Sequence, residues 1–218
     1  MARTRKPFAR RLAEALPRRR RSPELARQEI LDAAERVFAR FQPDQVGLKE
    51  VAGEAGVSHA LITHYFGTYG GLIEAALERR TRATREAALA RLREPAALSR
   101  PGELLELLFR ALQDPVHLRL IRWMLASERP AASHAFAFQE RGLAVIVEQV
   151  ARALSPEPGP ALLHNVEITL LTAVSAAYGY ALAKRALAAA LDLEPSRELD
   201  DEVRHALAAM VQTQIHPR

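Results

Sequence analysis

The chain has no cysteine, which excludes disulfides, thiol nucleophiles and Cys-ligated zinc and fits a cytoplasmic location most simply. It also lacks a Gly-rich phosphate loop, a G-x-S-x-G turn, an H-E-x-x-H pair and histidines at metal-ligand spacing. No catalytic residue, metal or cofactor is therefore expected. The acids Asp200, Asp201 and Glu202 do cluster, but they fall in the first turn of a helix, where the dipole favours negative charge. Charges or prolines interrupt each apolar stretch before the roughly eighteen residues of a membrane span. No membrane partner is expected. The arginine-rich N-terminus is not followed by an apolar segment, so it does not read as a secretory signal. Runs of alternating β-branched residues and internal repeats are missing too, which leaves an all-α fold.

What is present begins with charge. Of the 31 basic residues 28 are arginine, a bias that reads as a GC-rich genome rather than as function. Residues 1–21 hold nine basic side chains against the single acid Glu14, so this arm carries +8 and the rest of the chain −3 within a net +5. A basic arm on a mildly acidic body suits nucleic-acid binding, although a solubilising tail has the same composition.

Prolines divide the sequence at helix-length intervals. Ser22-Pro23-Glu24 supplies an N-cap, a first-turn proline and an acid at the positive helix end, followed by apolar residues at three and four spacing from Ile30 to Phe41. Further helices are expected over 48–55, 58–66, from Thr68 towards Arg93, and over 103–113, 116–128, 131–154, 161–193 and 197–214. The segment 161–193 is apolar or small on nearly every side and predicts a buried helix. With the amphipathic 197–214 it would supply half of a four-helix bundle completed by a second copy, or else an intrachain core.

Leu48 to Ser58 has the parts of a helix-turn-helix. Val51 and Ala52 form an inner face, Gly56 takes the turn, Val57 plugs it and Ser58 caps the next helix. On that second helix Leu61 or Ile62 faces the core, while His59, Ala60, Thr63 and His64 face outward, short enough to approach base edges in a major groove. An ordinary helical hairpin would keep the glycine and the cap, but would have no reason for the basic arm beside it.

The order Ile30-Leu31-Asp32-Ala33-Ala34, Phe38-Ala39, Val51-Ala52, Ala55-Gly56-Val57-Ser58, Tyr65-Phe66 and Leu72-Ile73 resembles the N-terminal signature of the TetR family of bacterial transcriptional regulators, over roughly residues 25 to 77. The resemblance implies a three-helix DNA-binding head (22–80), a long fourth helix, and a helical ligand-binding and dimerisation domain (81–218) behind a basic arm (1–21). It implies double-stranded operator DNA, a second copy of the chain and an apolar or aromatic small molecule as partners, with the DNA released when the small molecule binds. Repression is the sign expected. A constitutive or architectural DNA binder is the alternative. Position by position, the resemblance places Lys49, Ser58, His59, Ala60, Leu61, Thr63, His64, Tyr65, Thr68 and Tyr69 at the DNA. Arg18, Arg19, Arg20 and Arg21, just before the first helix, are expected to enter an adjacent minor groove, as arms do in other helix-turn-helix proteins. Thr63 stands where the family usually has tyrosine, and Tyr69-Gly70 where it often has Lys-Glu. For the ligand, the polar and aromatic groups set in apolar helices are His117, Trp123, His134, Phe138, Asn165, Thr169, Thr172 and Tyr178, three of them on one stripe at i, i+4, i+7.

Overall fold

Caps written in the sequence start most of the N-terminal helices. In the computed structural model, which describes residues 22–94, 101–127 and 142–215, α1 (Pro23–Arg40) opens on Ser22, whose hydroxyl accepts from the Leu25 amide at 3.2 Å. Helix α2 (Leu48–Ala55) ends at Gly56, whose φ of 64° only glycine adopts cheaply. Ser58 and Thr68 cap α3 (His59–Phe66) and α4 (Tyr69–Leu92) in the same way as Ser22 caps α1. Helix α4 has 24 residues, a length of about 36 Å at 1.5 Å per residue. The chain continues through α5 (Pro101–Gln113), α6 (Pro115–Ala126), α7 (Ala144–Leu154), α8 (Pro160–Ala190) and α9 (Arg197–Ile215). No strand occurs among the described residues. Of the helix expected over 131–154, the part up to 141 lies outside the described residues and the remainder is α7.

Three apolar clusters hold the molecule. The largest packs α1, α2, α3 and the first half of α4 around Ile30, Phe38, Val51, Ile62, Leu72 and Leu77, all wholly buried. It does not stop at residue 80. Val116, Leu120, Ile121 and Met124 of α6 belong to the same buried cluster, and Arg119 donates to the carbonyls of Phe38 at 2.7 Å and Ala39 at 2.8 Å at the C-terminal end of α1. Helix α6, read from the sequence as part of the body, is thus packed into the head. The second cluster joins α5, α8 and α9, and the third joins α7, α8 and the end of α4.

Helix α8 overturns two expectations. It is long and apolar enough, by length and composition, to cross a membrane, because Glu167, Lys184 and Arg185 are its only charged residues and an 18-residue window takes in no more than two of them. It packs instead against α5, α6, α7 and α9. Nor is it buried all round: Ile168 and Leu171 are 48% and 59% exposed. Periodicity reports that a face is apolar, and does not say whether the same chain covers it.

Candidate functional site

The second and third helices present one open surface. Val51 and Ala52 hold α2 inward, Ile62 holds α3 inward with Leu61, Tyr65 and Phe66 packed partly against the same core, and Val57 fills the turn between them. What remains outward on α3 is His59, Ala60, Thr63 and His64, with Lys49 exposed on α2. The Thr63 hydroxyl donates to the His59 carbonyl at 3.2 Å, and the His64 ring meets Tyr65 edge-on with centroids 5.2 Å apart. The α3–α4 junction is tight. A Cβ on Gly71 would lie 2.2 Å from the Phe66 carbonyl oxygen, so only glycine lets α4 leave α3 at this angle.

Behind this surface the head is braced by charge. Glu54 of α2 accepts from Arg36 at 2.7 Å and from Arg40, both on α1, and these two guanidinium partners hold its carboxyl below the usual range. Glu35 of α1 takes Arg79 and Arg80 of α4, the latter at 2.6 Å. Arg80 also reaches Asp114, the N-cap of α6, whose other oxygen accepts from the amides of Val116 at 2.8 Å and His117 at 3.2 Å. A chain of polar contacts therefore runs from α1 through α4 to the first turn of α6.

That first turn borders a cavity. A space of about 170 Å³ lies between α4, α5, α6, α7, α8 and α9. Its wall is aliphatic, with Leu104, Leu105, Leu107 and Leu108 from α5, Ile146 and Val150 from α7, Val166, Leu170, Ala173 and Val174 from α8, and Val211 and Ile215 from α9. Polar groups enter from α4 (Thr81, Thr84, Arg85), α6 (His117) and α8 (Thr169, Tyr178). His117 Nε2 and the Tyr178 hydroxyl are hydrogen-bonded at 3.2 Å. Burial keeps His117 neutral, with its pKa lowered to about 4 although Asp114 pulls the other way, and burial pushes the Tyr178 hydroxyl up to about 12.

Comparison with known proteins bears on the head most directly. Residues 30–76 match the model of the tetR family of bacterial regulatory proteins. Over these residues the head is similar to that of the TetR family. Two uncharacterized HTH-type transcriptional regulators of Mycobacterium tuberculosis strains are 44% identical over 62 residues, 28% of this chain and 31% of theirs. The HTH-type transcriptional regulator BetI of Cronobacter sakazakii is 35% identical over 81 residues, 37% of this chain and 40% of its own. These matches span well under half the length of the curated relatives. Solved structures extend the likeness further. A tetR-family transcriptional regulator from Streptomyces coelicolor superposes with a TM-score of 0.58 at 26% identity, covering 88% of this chain and 84% of that one. A second, from Mesorhizobium loti, reaches a TM-score of 0.64 at 16% identity over 89% of this chain and 96% of its own, a likeness of fold.

On this TetR-like head, Lys49, His59, Ala60, Thr63 and His64 lie together on the open surface, while Ser58 and Thr68 stand at the two helix starts beside it. Leu61 and Tyr65 are half inward. Tyr69 is not on this surface. Its ring packs between Phe38 and Trp123, and its hydroxyl donates to the Pro43 carbonyl at 2.6 Å. Burial raises its pKa, and the aromatic ring serves the head's core rather than a phosphate. Arg18, Arg19, Arg20 and Arg21 lie outside the described residues.

The expected ligand residues divide similarly. His117, Thr169 and Tyr178 line the cavity. Trp123 does not: it meets Tyr69 edge-on at 5.8 Å, on the head side of α6. Thr172 is exposed, and Asn165 turns away to donate to the Gln214 carbonyl at 3.2 Å. The i, i+4, i+7 stripe placed these two with Thr169 because spacing fixes a face to within a helical quadrant, and the cavity wall is narrower than that. His134 and Phe138 lie outside the described residues. Sequence reading missed Thr81, Thr84 and Arg85, which sit in a charged stretch of α4 with no large apolar residue between Leu77 and Leu89 to mark them. It also missed Asp114, although Asp-Pro is a helix-start signature as much as a break.

Proposed function

We propose that this protein is a cytoplasmic, non-enzymatic regulator of transcription that binds palindromic operator DNA as a homodimer and releases it when a small molecule fills the cavity. The observation that carries this reading is the open α2–α3 surface. The head closes a core around Ile30, Phe38, Val51 and Ile62, yet leaves Lys49 on α2 and His59, Ala60, Thr63 and His64 on α3 uncovered, with α3 set by Gly56, Ser58 and Gly71. Short side chains on a fixed helix suit base edges in the major groove.

A second copy is supported by the hairpin of α8 and α9. Asn165 reaches Gln214 at one end, and Tyr180 and Lys184 reach Asp200 at the other. Ile168 and Leu171 on α8 and Met210 on α9 therefore lie at one end of the hairpin, all largely exposed. Two such hairpins form a four-helix bundle and bury these side chains. Ligand control is supported by α6, whose first turn borders the cavity while its middle is packed into the head.

The test is selection of bound duplexes from random DNA by the full chain. A palindrome is expected, with half-site centres about 34–36 Å apart or a multiple of that. His64→Ala or Lys49→Ala should weaken the selected operator by roughly 1–3 kcal/mol and leave random duplex nearly unchanged. Sedimentation should give a dimer that Leu171→Glu converts to monomer. No enriched sequence, or a monomer at micromolar concentration with and without DNA, overturns the proposal.

A further inference from the structure

Helix α3 carries no lysine, arginine or acid. Binding to duplex DNA nevertheless draws most of its affinity from cations that neutralise phosphates. The neutralising charge therefore comes from segments beside α3. We infer that Arg27 of α1, held over the Phe66 ring, grips a backbone phosphate and so positions the head on duplex DNA. This rests on reading the α2–α3 surface as the DNA interface.

The other cations of the head show why Arg27 stands apart. Helices α1 to α3 carry four of them: Arg27, Arg36, Arg40 and Lys49. Glu54 takes both Arg36 and Arg40. On α4, Arg79, Arg80 and Arg82 are held by Asp32, Glu35, Asp114 and Glu78. Arg119 of α6 is spent on two α1 carbonyls. Lys49 already belongs to the open surface. Arg27 has no carboxylate or hydrogen-bond partner among the described residues, and Glu24, three residues before it, makes no ion pair with it.

What Arg27 does touch is an aromatic face, its guanidinium carbon lying 5.3 Å from the Phe66 ring centroid. A cation over a ring is held by the ring's negative face and spends none of its N–H groups on an acceptor. The planar fork of five donors stays available, and it matches two oxygens of one phosphate. Because the ring already restrains the side chain, less freedom is lost when DNA arrives.

Position supports the same role. Phe66 follows Thr63 at i, i+3, so the two are neighbours on α3. Thr63 is exposed, whereas Phe66 is partly packed against the head core and partly open. Arg27, itself only partly buried, thus stands at the rim of the open surface, one helical turn beyond Thr63.

A stack of this kind could also serve only to staple α1 to α3, and salt dependence separates the two roles. Fluorescence anisotropy on the full chain would follow binding to a random-sequence duplex and to the selected operator between about 0.05 and 0.2 M salt. Arg27→Ala should flatten the slope of log K against log salt by about 0.9 on both duplexes, a loss of about eightfold in affinity at about 0.1 M salt. Arg27→Lys should restore the slope, and Arg27→Gln should not. An unchanged slope in Arg27→Ala, with or without a lower melting temperature, reduces the stack to a staple and overturns the inference. A loss confined to the operator makes Arg27 a base reader and overturns it as well. The random duplex keeps this result apart from the proposed function. A selection without an enriched palindrome defeats sequence-specific binding, while Arg27 is still judged by its slope on random DNA. A wild type that binds no duplex at all overturns both.

Discussion

The head and the body of this molecule are built to different degrees of closure. Phe38, Ile62, Leu72 and Leu77 at the centre of the head are wholly buried, and its helices are tied by Glu54 to Arg36 and Arg40 and by Glu35 to Arg79 and Arg80. In the body the buried core residues larger than alanine all keep a little surface open, from 2% at Val166 and 5% at Phe109 to 8% at Leu207. A cavity separates the helices there, and α8 and α9 turn apolar side chains outward. The contrast separates two tasks. A DNA-reading surface needs fixed geometry, which a closed core supplies. On the proposed function, the part that answers to a guest and to a second copy keeps space and apolar surface in reserve for them.

The largest expected effect tests this contrast by truncation. Phe38→Ala removes a wholly buried ring from a close-packed core and should cost about 3–5 kcal/mol. Leu108→Ala enlarges a space that already exists, at a residue only partly buried, and should cost about 1 kcal/mol or less beyond the lost transfer term. Chemical denaturation of both variants measures the difference. Equal costs would mean that the body is packed as tightly as the head.

A second effect, of about 3 kcal/mol, belongs to His117. With a folded pKa of about 4 against 6.5 in the unfolded chain, the folded state binds fewer protons between those values. Stability therefore rises with pH across that window and is flat above it, a change of about 3 kcal/mol at 1.36 kcal/mol per unit. Asp114 favours the protonated form and Arg80 opposes it, and both face the ring from the same joint. Asp114, whose own pKa is lowered, loses its contribution only at still lower pH. Denaturation of the wild type and of His117→Asn from pH 7 to pH 4 isolates the term. Parallel curves would show that His117 is not held neutral by burial.

Much of the head was legible in the sequence because it is local. Ser22, Ser58 and Thr68 announce helix starts and Gly56 a turn within three residues of what they control, and the spacing of Ile30, Ala34, Val37 and Phe38 fixes the inner face of α1. The body was less legible because its decisive features depend on neighbours far along the chain. Trp123 and His117 are both set in the apolar helix α6, yet one faces the head and the other the cavity, according to which helices pass on each side. The exposure of Ile168 and Leu171 follows from what packs against α8, which no periodicity within α8 encodes. Tyr69 was misplaced for the same reason, since its partners Pro43 and Trp123 come from two other segments.

The smallest effect concerns the joint between the two regions, and it decides whether they are coupled through charge. Glu35 and Asp114 lie on different elements, but both engage Arg80, whose side chain is 22% exposed. Arg80 Nε has no hydrogen-bond partner, so its two terminal nitrogens carry its contacts. Asp114→Asn preserves a good helix cap and removes only the charge facing Arg80, while Glu35→Gln does the same on the head side. If Arg80 transmits between them, losing one carboxylate changes the worth of the other, and the double variant departs from additivity by about 0.5–2 kcal/mol. A control pair, Glu35→Gln with Glu106→Gln, whose partners are Arg110 of α5 and Arg204 of α9, should add to within about 0.3–0.5 kcal/mol. Additivity in both pairs would place the coupling in the apolar contacts of α6 with the head core. Selective non-additivity at Arg80 makes the Glu35–Arg80–Asp114 chain the link by which a guest beside His117 shifts the head.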